Sequence, residues 1–70
     1  MKMNEKLKKQ NILRLDINDN IINKLKDNNI LKLGELCCKN ELQLRELNLN
    51  NDEIDKIKQE LEQIGLLLRN

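Results

Sequence analysis

Nine of the twenty amino-acid types are missing from the chain: histidine, serine, threonine, tyrosine, tryptophan, phenylalanine, proline, alanine and valine. Each absence closes off chemistry. Without His, Ser, Thr or Tyr there is no customary base–nucleophile pair, and two glycines cannot make a Gly-rich phosphate loop. No catalytic residue is assigned, and neither an enzyme activity, a cofactor nor a small-molecule substrate is expected. The two cysteines, Cys37 and Cys38, are adjacent. Neighbouring cysteines seldom bridge because the small ring strains the peptide, and two thiolates without His cannot close a zinc site. Cys37 or Cys38 is expected to fill the core as a small apolar group, in a reducing compartment. Long apolar runs are missing too. Met1–Gln10 has no signal-peptide stretch, and the longest run, Leu66–Leu68, is far too short to cross a bilayer. A cytoplasmic protein with no membrane association is expected.

What remains is largely Leu, Ile, Asn and charge. Seventy residues, 39% of them hydrophobic and 36% charged, suit one small domain near the size limit for an unstapled apolar core. Each fully buried Leu or Ile contributes roughly 1.5–3 kcal/mol. With no Ala, helix axes should lie toward the wide end of the usual ~8–10 Å spacing. The net charge of +1 argues against a strongly electrostatic nucleic-acid binder. The charge is also uneven: Lys2, Lys6, Lys8 and Lys9 against Glu5 give residues 1–10 a charge of +3, leaving −2 on the rest.

Residues 1–11 read as a lysine-rich leader, a frayed helix or a flexible segment, and residues 12–70 as a single helical domain. In "ILRLDIN" the alternation from Leu13 to Ile17 predicts an extended segment, with Arg14 and Asp16 facing water. Asn18 is a good N-cap for a first helix running to about Asn28, with Ile21, Ile22 and Leu25 at helical spacing. A short helix follows near Leu33–Cys38, turning Leu33, Leu36 and Cys37 inward. Asn40 caps a third, Glu41–Leu47, with Leu42, Leu44 and Leu47 as its apolar positions. In the fourth, Asn50 and Glu53 form a capping box, and Ile54, Ile57, Leu61 and Ile64 make one stripe. Gly65 supplies a left-handed C′ residue, and Leu66 folds back on the last turn in a Schellman ending. The stripe also fits two heptads, too few for a stable coiled coil, so packing within the domain is expected. Glu60 and Glu62 are placed on a solvated helix face. The fold class is all-α, a compact bundle of four to five short helices after an extended or frayed N-terminal segment. The core should include Ile21, Leu25, Leu36, Leu47, Ile54, Ile57 and Leu61.

Two stretches in register, "INKLKDNNILKLGEL" and "NLNNDEIDKIKQELEQIGLLL", resemble the C-terminal domain of the bacterial RNA polymerase alpha subunit. The likeness covers Ile17–Leu68. It implies a bundle containing a helix-hairpin-helix that binds the minor groove of promoter DNA and docks transcription regulators. The resemblance puts the family's principal DNA-contacting arginine at Asn20 and its following asparagine at Asn23, with Lys24 next to it. The hairpin glycine falls on Asn50, the lysine and serine that open the last helix on Asp52 and Glu53, and a further acidic position on Lys56. Asn23 keeps the family's residue, so Asn23 and Lys24 are the candidate nucleic-acid-binding residues. Asp52, Glu53 and Asp55 reverse the positive sign that a helix N-terminus offers a phosphate. Asn48 and Asn50 are both expected to tolerate the left-handed conformation, with side chains standing where a phosphate would approach.

The resemblance, with these departures from it, implies a transcription-associated interaction module with transcription proteins as partners and at most weak contact to duplex DNA. The alternative is a freestanding protein–protein interaction module that keeps the fold with no DNA-binding role.

Overall fold

The computed structural model describes residues 2–69. Five α-helices follow one another: α1 (Lys2–Lys8), α2 (Asp19–Asp27), α3 (Leu33–Cys37), α4 (Glu41–Glu46) and α5 (Asn51–Gln63), with a 3-10 turn, Ile12–Arg14, between α1 and α2. Among the described residues there is no strand, only an isolated antiparallel bridge between Asn11 and Lys32. The all-α bundle of short helices read from the sequence is the fold. Met1 of the leader and Asn70 at the end of the expected domain lie outside the described residues.

Asparagine does the work that Ser and Thr usually do at helix starts. Asn18, Asn40 and Asn50 all hold extended backbone and accept a hydrogen bond from the N–H three residues on, at 2.8–2.9 Å. In α4 and α5 the box closes, because Gln43 and Glu53 each return an oxygen to the cap's own N–H, at 3.0 Å. At α3 the cap residue is Lys32, whose side chain accepts nothing. Glu35 supplies the compensation, accepting the N–H groups of both Leu31 and Lys32, and these two bonds hold its carboxyl below the usual range.

Helix ends follow one rule three times. Asn29, Asn48 and Gly65 sit at φ +62°, +69° and +81°, and each is followed by a buried aliphatic side chain: Ile30, Leu49 and Leu66. After α2, Asn29 N–H donates to Lys26 O and Ile30 N–H to Leu25 O; after α5, Gly65 N–H donates to Glu62 O and Leu66 N–H to Leu61 O. Both are complete Schellman endings, the first with Asn in the glycine place. The aliphatic residue just outside each helix is thereby turned back into the core.

That core contains Ile21, Leu25, Leu36, Ile54, Ile57 and Leu61 as expected, with Leu47 partly buried against it, and also Ile12, Leu15, Ile30, Leu33, Leu44 and Leu49. Four expectations need correction. Leu13–Ile17 does not begin as an extended segment: Arg14 and Leu15 donate to Asn11 O and Ile12 O, making a 3-10 turn. Residues three apart eclipse in such a turn, so Ile12 and Leu15 point inward and Leu13 is left 59% exposed. Leu42 is 65% exposed, because it lies two residues from buried Leu44 and positions two apart do not share a helix face. Glu60 is buried: its carboxylate accepts the Asp16 N–H at 3.2 Å and pairs with Lys56 at 3.4 Å, while Glu62 does face water. Asn50, at φ −84°, is an extended N-cap and takes no left-handed conformation.

The lysine-rich leader is tied to the domain at its far end. Ile12 N–H donates to Leu31 O and Leu33 N–H to Gln10 O, fixing the bridge, and α1 packs on α3 with Leu7 against the core. The approach is close at Gly34, where an added Cβ would stand 3.0 Å from Lys8 Cβ and 3.1 Å from Lys8 O. Cys37 is half-buried, which pushes its thiol pKa up, and Cys38 is exposed; both are free thiols.

Candidate interaction surface at the α4–α5 hairpin

The turn between α4 and α5 is short and internally anchored. Leu47 ends α4, Asn48 reverses the chain at positive φ, Leu49 plugs the core, and Asn50 caps α5. A β-branched or bulky residue at Asn48 would be strained, whereas Asn tolerates this backbone region. Against this turn lies the start of α2. A shallow cleft between them is lined by Asn18, Ile21, Asn50, Asp52, Glu53 and Lys56. Four of those six, Asn50, Asp52, Glu53 and Lys56, are positions that the resemblance assigns to DNA contact; Asn20, Asn23 and Lys24 do not line the cleft.

Lys24 decides what that surface offers. Its ammonium donates to the Asn48 carbonyl at 2.8 Å and to Glu53 Oε1 at 3.1 Å. The same Glu53 oxygen accepts the Asn50 N–H. One carboxylate thus closes the cap of α5 and holds the lysine that ties α2 to the turn. The Asn50 N–H first, and Lys24 with it, keep the Glu53 carboxyl below its usual range. Lys24 was singled out by its position in the sequence, and its charge is spent inside the molecule on a partner 29 residues away. Asn23 and Asn20 are exposed on α2.

The electrostatics follow from the same residues. Asp52 and Glu53 occupy the first turn of α5, with Asp55 after them. They offset the partial positive charge of about half a unit at the helix N-terminus and stabilise their own helix. Any phosphate approaching the Asn50 end would meet carboxylates and a side chain already engaged with the backbone. Lys56, the remaining cation of the cleft, is paired with Glu60 four residues on. A carboxylate reads as a surface group, although Ile57 and Ile64 of the apolar stripe stand three and four residues from Glu60 on the same side of α5; the Asp16 N–H, from the segment after the 3-10 turn, meets it there.

A second feature lies at the other side of α4 and α5. Lys58 of α5 ion-pairs with Glu41 of α4, and Leu42, Leu67 and Leu68 line a groove beside that pair. Among the described residues, no helix is long and apolar enough to cross a membrane, and no three His, Cys, Asp or Glu side chains gather to hold a metal ion. No protein-family model matches the chain, and no curated protein matches it.

Proposed function

We propose that this chain is a transcription-associated interaction module of the kind found at the C-terminus of the bacterial RNA polymerase alpha subunit, docking regulatory proteins and touching duplex DNA weakly or not at all. The reading assigns it no catalytic step and no cofactor. One observation carries the weakness of DNA contact: the Lys24 ammonium is occupied by Glu53 and the Asn48 carbonyl. The hairpin between α4 and α5 supports the helix-hairpin-helix part of the reading. The acidic opening of α5 and the capping side chain of Asn50 support the loss of a phosphate grip on that hairpin.

Two measurements made side by side test it. A gel-shift titration with promoter-like duplex DNA should give weak binding on the nonspecific scale of roughly 10⁻⁴–10⁻⁶ M or poorer. A pull-down against purified polymerase and transcription regulators should retain a defined partner. Nanomolar, sequence-selective DNA binding would overturn the proposal. Retention of no transcription protein, with the fold intact, would favour the freestanding interaction module.

A further inference from the structure

The groove beside α4 and α5 carries the two most exposed large apolar side chains of the described residues, Leu42 at 65% and Leu67 at 71%. Both stand on anchored backbone. Leu42 belongs to α4, which the Lys58–Glu41 ion pair ties to α5. Leu67 follows buried Leu66, and the tail beyond it is pinned where the Arg69 N–H donates to the Lys39 carbonyl. Leucines held out in this way leave water only when another surface lies across them. The charges beside them limit what that surface can be. Glu41 and Glu62 face Lys58 and Arg69 around the groove, so its lining is neutral overall. Glu41 and Lys58 already answer each other. What remains for an occupant is one carboxylate and one guanidinium, Glu62 and Arg69, both exposed and neither in an ion pair among the described residues. A wholly basic occupant would be repelled by Arg69 and a wholly acidic one by Glu62. A second copy of the groove meets both. Under a two-fold axis, setting Glu62 against the partner's Arg69 also sets Arg69 against the partner's Glu62, and each copy's leucines meet an apolar face. A net charge of +1 leaves little long-range repulsion between two copies.

We propose that the chain forms a weak two-fold dimer through this groove, with Leu42 and Leu67 of each copy covered by the other and two Glu62–Arg69 pairs related by the axis. Self-association goes beyond the function proposed above and rests on none of it. Eight residues line the groove, against roughly 20–30 a side in a standard interface, so the dissociation constant should be roughly 0.1–1 mM. The cleft at the α5 N-terminus shares no lining residue with the groove, so dimerisation leaves the Lys24–Glu53 contact untouched.

The test exchanges charges between copies. Diluting the isotope-labelled full chain from roughly 2 mM to roughly 0.02 mM should move the amides of residues 40–42, 62 and 66–69 along one binding curve, and sedimentation equilibrium should report a dimer. Glu62→Arg leaves only cations at the two positions and Arg69→Glu leaves only carboxylates, so each variant alone should associate at least tenfold more weakly. Mixed in equal amounts, the two variants should recover the affinity of the parent, because every contact across the axis again joins opposite charges. Leu42→Gln with Leu67→Gln should also weaken association at least tenfold. All four positions are exposed, and an unchanged amide spectrum of the core checks that each variant folds. Single-charge variants that associate like the parent, a mixture that associates no better than its components, or shifts centred elsewhere would overturn the proposal. So would spectra independent of concentration up to about 2 mM, since the leucines would then be left to a different protein. Because neither DNA nor a transcription protein is in the sample, failure here is separate from failure of the transcriptional reading.

Discussion

Lys24 and Glu53 allow the closed hairpin to be opened one charge at a time. Glu53→Gln keeps an oxygen able to accept the Asn50 N–H, so the capping box survives and only the negative charge facing Lys24 is removed. Lys24→Met keeps an apolar stem of similar length and removes the ammonium, and with it both the ion pair and the bond to the Asn48 carbonyl. The two side chains are 36% and 15% exposed, so solvent screens the pair considerably. Exposed pairs contribute about 0.2–1 kcal/mol, and the charge-assisted bond to the carbonyl adds about 1 kcal/mol. Glu53→Gln should therefore cost about 0.5–1 kcal/mol and Lys24→Met about 1–2 kcal/mol. In a domain of this size each kcal/mol lowers Tm by roughly 4–8 °C. Urea unfolding of the two single variants and the double variant completes the cycle. The coupling should be about 0.5–1 kcal/mol at low salt and should shrink as salt rises to about 1 M. Losses that simply add, at every salt concentration, would refute the assignment of Lys24 to an internal contact.

Ile57 has no exposed surface in the middle of α5, and Ile57→Ala should cost about 2–5 kcal/mol; a Tm within a degree or two of the parent would show that the packing is misassigned. Gly65→Ala should cost about 1 kcal/mol through φ alone, since no atom lies within 4 Å of an added Cβ. Gly65→Asn should cost less, because Asn29 and Asn48 already hold that conformation; equal losses would place the strain elsewhere. Acid should destabilise the fold. Glu53 is held low by Asn50 N–H and Lys24, Glu35 by two backbone N–H groups and Glu41 by Lys58. Folded pKa values below the unfolded ~4.3 mean that the unfolded chain binds more protons as pH falls. Their stabilisation is complete above about pH 5 and is lost as pH falls through the folded values, so Tm should drop below about pH 4.5; a flat Tm down to pH 3 contradicts this. Lastly, Asn20→Arg with Asp52→Lys and Glu53→Gln should rebuild a phosphate-binding face while Asn50 goes on capping α5. Duplex DNA should then bind at least tenfold tighter, about 1.4 kcal/mol, with a steeper salt dependence, read by gel shift. A folded triple variant with unchanged binding would mean that these positions do not serve one DNA-facing surface.

The helices and their starts were readable because both signals are local. Asn18, Asn40 and Asn50 cap within three residues of themselves, and the spacing of Ile54, Ile57 and Leu61 needs nothing beyond α5 to define a face. Gly65 was readable for the same reason, since only its own backbone freedom is at stake. Asn29 carried a weaker signal: any Asn can enter the left-handed region, and a helix running to about Asn28 does not say which residue reverses the chain.

Other features depend on partners distant in sequence. Leu13 and Leu15 alternate like a strand, yet among the described residues there is no strand to pair with them. The local hydrogen bonds of a 3-10 turn win, and the inward set becomes Ile12 and Leu15. Glu60 looks like a surface carboxylate until the Asp16 N–H reaches it from 44 residues away. Lys24 looks like a free cation until Glu53 and the Asn48 carbonyl claim it. Residue types and short spacings determined where the chain turns helical. Which charges remain available to a partner was decided only when α2 came to rest on the α4–α5 turn, because an ion pair depends on distance through space and not along the chain.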